Sequence, residues 1–123
     1  VNSYSVAERI NSDVNASVRY KTDLEQYSKP EHWVEAGTFG DCEDYALLKR
    51  QLLLNAGFAR KDLHLACCWV ETEAYHCVLL CNTSKGWFVL DNRYNWPMTP
   101  KSLPYRWDKA LDEVDGKWYV LSF

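Results

Sequence analysis

The sequence predicts an α+β fold, with helices in the first half of the chain packed on an antiparallel β-sheet formed by the second half. Apolar residues among the first 56 positions recur at helical spacing, whereas residues 63–123 hold short apolar runs separated by turn residues. Helical and strand patterns that are segregated along the chain, rather than alternating, are typical of this class. The 123 residues are the size of one domain, and we expect a single domain over residues 1–123.

The first helix is predicted over Ala7–Tyr20. Ile10, Val14 and Val18 are each four residues apart there and form one apolar stripe.

The strongest helix prediction covers Asp41–Ala56. Pro30 predicts a break before it, and the glycines of Gly37–Gly40 predict a flexible loop that leads into it. Asp41 is a favourable N-cap, and Gly57 supplies a natural stop. The apolar residues expected to face the core are Tyr45, Leu48, Leu52 and Ala56, with Leu53 beside them.

Four strands are predicted after the helices. Each is a short apolar run, and the second follows the first closely enough to form an antiparallel hairpin. The runs are Leu63–Val70, Ala74–Cys81, Trp87–Leu90 and Lys117–Phe123. The three prolines of Asn95–Pro104 predict an irregular segment before the last strand.

Composition excludes two classes of function. There are 14 Lys and Arg against 17 Asp and Glu, so no basic excess exists to follow a phosphate backbone, and nucleic-acid binding is not expected. No apolar run approaches the roughly 20 residues of a membrane-spanning helix. Val1–Ile10 lacks a signal-peptide pattern, which predicts either a chain that works without export or one whose leader has been removed.

Three residues stand where catalytic side chains are commonly found. Cys42 is predicted in the first turn of a helix, where backbone N–H groups lower a thiol pKa and can bind an oxyanion. His76 lies in the second strand and Asp91 at the end of the third, so neighbouring strands can bring them side by side. Each residue alone has an ordinary structural interpretation: a buried thiol, a core histidine and a turn aspartate. Together they predict a Cys-His-Asp triad.

These residues also carry a resemblance to a known family. The block Gly40–Ala46 (GDCEDYA), followed by His76 and by Leu90–Asn92, resembles the bacterial transglutaminase-like cysteine peptidases. Within that family, the sequence is most similar to the LapG type, which releases surface adhesins by proteolysis. The resemblance implies a papain/transglutaminase-like fold with the nucleophile at the N-terminus of a helix packed on the antiparallel sheet.

The resemblance assigns roles to individual residues. It implies that Cys42 is the nucleophile, that His76 is the base and that Asp91 orients His76. It also implies a calcium site at Asp41 and Glu43. Calcium prefers carboxylate oxygens and would offset the negative charge that these acids place beside the thiolate. Acids at a helix start are also favoured by the helix dipole without any ion.

The expected reaction is hydrolysis of a peptide bond, with transamidation left open, and we expect a monomer. Backbone N–H at Cys42 is the expected oxyanion donor, with Trp33 and Tyr20 as candidate side-chain donors. The substrate implied by the resemblance is a surface adhesin-like protein. A peptidoglycan peptide cut by a phage-type or bacterial hydrolase is an alternative, and a catalytically idle peptide-binding module is another.

The remaining cysteines bear on the compartment. We expect Cys67, Cys68, Cys77 and Cys81 to be free, packed thiols, which favours a cytoplasmic or phage-encoded origin, whereas the resemblance implies the periplasm. Cys77 also stands where the resemblance implies Met. Zinc is not expected, because no CxxC or HxxxH spacing is present.

Overall fold

The computed structural model of the chain describes the backbone of residues 2–28 and 30–123 and the side chains of residues 2–16 and 42–123. The described residues form two helices and five strands. They are α1 (Tyr4–Ser28), α2 (Pro30–Asn55), β1 (Leu63–Trp69), β2 (Tyr75–Thr83), β3 (Gly86–Leu90), β4 (Arg106–Asp112) and β5 (Lys117–Val120). The predicted α+β class is confirmed: the helices pack on one antiparallel sheet with strand order β3-β2-β1-β4-β5.

The sheet contains one strand that the sequence did not predict. β4 occupies the place between β1 and β5, and a bulge interrupts its pairing with β1 between Cys67 and Cys68. Its sequence, Arg106–Asp112 (RWDKALD), mixes charged and apolar residues, and most of its side chains are only half-buried. Backbone pairing on both sides therefore specifies this strand, rather than an alternating apolar pattern.

Helix α2 begins earlier than predicted. It starts at Pro30 and runs through the predicted loop Gly37–Gly40, so the prediction of a helix start at Asp41 is wrong. Proline is tolerated in a first turn because its missing N–H has no helical partner there, and an internal glycine costs only about 1 kcal/mol relative to alanine. Cys42 consequently lies about midway along α2, and its backbone N–H is inside the helix rather than at the unpaired end expected of an oxyanion donor.

The buried face of α2 also differs from the predicted one. Leu48 and Leu52 are 39% and 36% exposed, whereas Lys49 is fully buried. Among the α2 side chains that the structure describes, the buried ones are Cys42, Tyr45, Ala46, Lys49 and Leu53. The prediction is confirmed for Tyr45 and Leu53. It is wrong for Leu48 and Leu52, because Lys49, whose charge has an internal partner, takes a core position.

Both faces of the central strands are covered. One cluster lies between the helices and the sheet and includes Ala46, Leu53, Leu65 and Leu79. The other includes Ala66, Cys68, Val78 and Val89 and is covered in part by the irregular segment after β3. The predicted irregularity of Asn95–Pro104 is confirmed, since this segment has a single bridge from Met98 to Val89 and a short 3-10 turn at Pro100–Ser102.

No helix among the described residues is long and apolar enough to cross a membrane.

Candidate active site

The three predicted triad residues meet at the edge of β2. Strand β3 pairs with β2 only as far as Leu90 opposite Leu79, so the segment Tyr75–Val78 has no strand partner on that side. Asp91 follows β3 directly, and Cys42 of α2 approaches β2 in the same region. The end of one strand therefore leaves space for both a carboxylate and a helix-borne thiol.

His76 bridges the other two residues. Its side chain is largely buried, and Nε2 donates to Oδ1 of Asp91 at 2.7 Å. With Nε2 committed, Nδ1 is the ring nitrogen left for the hydrogen-bonded contact that His76 makes with Cys42. Burial acts to lower the pKa of His76, but the bonds to Asp91 and Cys42 outweigh it and raise the pKa to about 9.

Asp91 is fully buried and all its described partners stabilise the carboxylate. Oδ1 accepts from His76 and from the backbone N–H of Arg93 at 3.0 Å, and Oδ2 accepts from the Tyr105 hydroxyl at 2.5 Å. Burial acts to raise the pKa of Asp91, but these bonds, led by that of His76, hold it below its ordinary value. The carboxylate is thus charged and fixed in direction.

Tyr105 belongs to a chain of contacts that reaches the surface. Arg93 Nη1 donates to the Tyr105 oxygen at 3.1 Å, and the Arg93 guanidinium forms a bidentate pair with Glu71 at 3.0 and 2.7 Å. Arg93 is two residues after Asp91 in the sequence, whereas Tyr105 is 14 residues away and was not predicted. No local pattern marks Tyr105, because it follows the Pro-rich segment and reaches Asp91 only through the fold.

A second set of buried polar residues holds the backbone behind Asp91. Asn15 of α1 donates to the carbonyl oxygens of Asp91 and Tyr94 at 3.0 and 2.8 Å, and Asn11 donates to that of Tyr94 at 3.0 Å. Lys49 Nζ in turn donates to Asn11 Oδ1 at 2.7 Å. Burial lowers the pKa of Lys49 to about 7, and the charge of Asp91 opposes this shift. Asn11 and Asn15 are four residues apart and lie on the same helix face as buried Val14. Polar residues at this spacing on an apolar face were the sequence feature that could have predicted a buried hydrogen-bonding role.

Cys42 is surrounded by donors. Its side chain is buried, and the backbone N–H of Cys77 points to its sulfur at 3.3 Å. A hydrogen bond from the Cys77 thiol and the contact with His76 lower the pKa of Cys42 to about 5, against the opposing effect of burial. These contacts, rather than a helix N-terminus, are the cause of the lowered pKa of Cys42. The lowered pKa of Cys42 and the raised pKa of His76 both favour a thiolate beside an imidazolium.

The predicted calcium ligands lie on either side of Cys42 in the sequence. Glu43 is half-buried next to Cys42, whereas the side chain of Asp41 lies outside the described residues. The same is true of Tyr20 and Trp33, the candidate oxyanion donors. The donor set is carboxylate, which suits calcium. Across the side chains that the structure describes, no group of three or more His, Cys, Asp or Glu is placed to hold a metal ion.

Comparison with known proteins decides the family. The model of the bacterial transglutaminase-like cysteine proteinases matches residues 2–122. The chain belongs to this family. No curated protein sequence matches it.

Solved structures of the family protein LapG share the fold. Calcium-bound LapG of Legionella pneumophila has a TM-score of 0.57 at 19% identity, over 65% of this chain and 45% of LapG. The EGTA-treated form has a TM-score of 0.58 at 18% identity, over 68% of this chain and 46% of LapG. The chain thus matches less than half the length of LapG. At this identity the likeness establishes the transglutaminase-like cysteine proteinase fold and nothing finer.

Proposed function

We propose that this transglutaminase-like cysteine proteinase domain is an endopeptidase in which Cys42, His76 and Asp91 form the catalytic triad. One observation carries the proposal: a single buried imidazole bonds the Asp91 carboxylate at 2.7 Å and also contacts the Cys42 thiol. A thiolate held beside an imidazolium is the reactive form of a cysteine peptidase.

The mechanism follows from the protonation states. The Cys42 thiolate attacks the carbonyl carbon of the scissile peptide bond, and a tetrahedral intermediate forms. His76, protonated on the nitrogen facing the site, donates its proton to the leaving amine as the C–N bond breaks. Water activated by the now neutral His76 releases the acyl group from Cys42. Asp91 keeps the ring oriented and stabilises its charge throughout. An amine in place of water would give transamidation.

The substrate we propose is a bacterial surface adhesin-like protein. The family membership supports a protein substrate, and the resemblance to the adhesin-releasing type supports this class. Cleavage of a peptidoglycan peptide by the same triad would use the same chemistry on a cell-wall substrate, and the experiment below separates the two.

We also propose that calcium binds at Asp41 and Glu43. LapG has been solved in calcium-bound and EGTA-treated forms, and the carboxylate donors adjoining Cys42 have the chemistry that calcium prefers. When bound, the ion would offset the negative charge of the acids next to the thiolate. The test is thermal unfolding with calcium and with EGTA. An upward shift in Tm with calcium that Glu43→Gln abolishes supports the site, and an equal Tm in both conditions contradicts it.

The test of function is incubation with two kinds of substrate, followed by mass analysis of the products. One sample contains adhesin fragments and the other purified peptidoglycan, each with and without calcium. We expect new protein termini from adhesin fragments and none with the Cys42→Ala variant. Release of wall peptides instead would assign the peptidoglycan alternative. If neither substrate is cut and Cys42 reacts with iodoacetamide no faster than a free thiol, the domain is a binding module and the enzyme proposal is wrong.

A further inference from the structure

Three of the five cysteines form one cluster. Cys67 of β1 and Cys77 of β2 have their sulfurs 3.2 Å apart, and Cys77 also forms a sulfur–sulfur hydrogen bond with Cys42. The three side chains pack together, and each is at most 3% exposed. All five cysteines lie within the described residues, and none is in a disulfide. Cys77 is therefore the middle sulfur, in contact with the other two.

The strand pairing favours a disulfide between Cys67 and Cys77. The two residues are directly opposite each other in the antiparallel ladder. The backbone N–H of Cys77 donates a hydrogen bond to the Cys42 sulfur, so this N–H points away from β1. The ladder agrees. The backbone N–H of Val70 donates to the carbonyl of Ala74, and hydrogen-bonded and non-hydrogen-bonded pairs alternate along an antiparallel ladder from that pair. Cys67 and Cys77 thus form a non-hydrogen-bonded pair, whose Cα atoms are about 4.5 Å apart. That spacing lies within the range that disulfides span.

Cys67 has the environment of a reactive thiol. The Cys77 thiol has one proton, which it can direct to Cys42 or to Cys67; directed to Cys67 across 3.2 Å, it lowers the pKa of Cys67 to about 7, although burial opposes the shift. The nearby Tyr75 hydroxyl donates to Asp108, whose negative charge also acts against the shift. Lys109, which is opposite Cys67 in β4, adds a favourable positive charge. A thiol with a pKa near neutral is well suited to attack a disulfide, because it combines a large thiolate fraction with retained nucleophilicity.

We propose that Cys77 and Cys67 form a thiol relay that removes oxidation from Cys42 and stores it as a cross-strand Cys67–Cys77 disulfide. The oxidant is a small peroxide. The inference rests on the proposed function in one respect, namely that Cys42 is the thiol that reacts first.

The relay has three balanced steps. The Cys42 thiolate attacks a peroxide oxygen, the O–O bond breaks, and the leaving hydroxide takes a proton from the His76 imidazolium and departs as water, which leaves Cys42 as a sulfenic acid. The Cys77 thiol then displaces the sulfenic oxygen as a second water, which forms a Cys42–Cys77 disulfide. Finally the Cys67 thiolate attacks the Cys77 sulfur and expels the Cys42 thiolate. The proton that Cys67 loses before the last step restores the imidazolium. In total one peroxide is reduced to two waters, and two thiols are oxidised to one disulfide.

The test is mass mapping of the oxidised full chain. The protein is treated with one equivalent of hydrogen peroxide, alkylated under denaturing conditions and digested. In the unmodified chain we expect the disulfide at Cys67–Cys77 and an alkylated Cys42. Cys67→Ser should trap Cys42–Cys77, and Cys77→Ala should drive Cys42 to sulfinic acid at least tenfold faster. Cys68→Ser is the matched control, because Cys68 is the next residue but has no sulfur contact with Cys42 or Cys77, and its products should equal those of the unmodified chain.

One further variant distinguishes a relay from direct oxidation of the pair. Cys42→Ala should slow formation of the Cys67–Cys77 disulfide at least tenfold, because oxidation enters through Cys42. An equal rate in this variant, or sulfinic acid at Cys42 in the unmodified chain as fast as in Cys77→Ala, would overturn the relay. These readouts are masses and rates, so they stand whether or not the chain cleaves any substrate. If Cys77→Ala does not fold, Cys67→Ser still tests the relay. Absence of the Cys42–Cys77 disulfide in the Cys67→Ser variant would also overturn the proposal.

Discussion

Cys67 and Cys68 are adjacent in β1, but their thiol pKa values are shifted in opposite directions. Cys67 contacts Cys77, and its pKa is lowered to about 7. Cys68 packs on the other face of the sheet among Ala66, Val78 and Val89, where burial, with the nearby negative charge of Asp91, raises its pKa to about 12. The residue type, strand and depth of burial are shared, so the difference comes from what each sulfur touches. One step along a strand therefore separates a reactive thiol environment from a packing environment.

The largest expected effect compares Cys42 on the reactive side with Cys68 in the core. Cys42→Ala should reduce kcat roughly a million-fold, the loss seen when a triad nucleophile is removed. Cys68→Ala should leave kcat within about twofold but lower the free energy of unfolding by about 1–3 kcal/mol, because it opens a gap in a packed core. Steady-state kinetics and urea unfolding measure the two. A comparable loss of kcat in both variants would break the comparison.

Alkylation rates should separate the same two environments without any substrate. At pH 7 iodoacetamide should modify Cys42 at least 100-fold faster than Cys68 or Cys81, because only a thiolate reacts and burial raises the pKa of both core thiols to about 12. Peptide mapping over time gives the rates. Complete unfolding in urea serves as the control and should make the cysteines react alike; a native Cys68 that reacts as fast as Cys42 would contradict the assignment.

The pH dependence of kcat/KM should be bell-shaped. Below about pH 5 the Cys42 thiolate takes up a proton, and above about pH 9 the His76 imidazolium loses its proton, so activity falls about tenfold per pH unit beyond each limit. The profile should be measured on a peptide without ionisable groups near the scissile bond. A single limb near the pKa of an ordinary thiol would show that Cys42 and His76 do not form an ion pair.

The smallest expected effect concerns Tyr105, a positioning residue. Tyr105→Phe removes the hydrogen bond to Asp91 Oδ2 while keeping the ring. A hydrogen bond to a charged group contributes about 1.5–3 kcal/mol, so kcat should fall roughly 10- to 150-fold if the whole contribution is lost in the transition state. KM should not change, because Tyr105 acts through Asp91 and His76. A raised KM with unchanged kcat would instead indicate contact with substrate.

The sequence predicted those parts of the molecule that depend on local pattern. Cys42, His76 and Asp91 were found because each has a characteristic position relative to an element or motif, and the structure brings the three together. The fold class was predicted because helical and strand periodicities are segregated along the chain. The helix start at Asp41 was wrong, since glycines that predict a loop cost a helix too little to end it.

The residues that the sequence missed act through tertiary contacts. Lys49 occupies a core position because Asn11 accepts its hydrogen bond, and Tyr105 matters because the chain returns it to Asp91. Strand β4 forms because β1 and β5 pair with it on both sides. The sequence also divided the cysteines into one reactive and four packed, whereas the structure groups three around the site and leaves Cys68 and Cys81 to the core.

The two asparagines of α1 connect the first helix to the loop that carries Asp91. They hold the carbonyls at Asp91 and Tyr94, although α1 contributes none of the three reacting side chains. The backbone of the loop that carries the carboxylate thus gains hydrogen bonds from residues more than seventy positions earlier, in addition to the contacts that hold the Asp91 side chain. Before α1 docks, the backbone at Asp91 and Tyr94 lacks the hydrogen bonds from Asn11 and Asn15. If Cys42, His76 and Asp91 act as proposed, proteolytic activity should therefore develop only after α1 has docked.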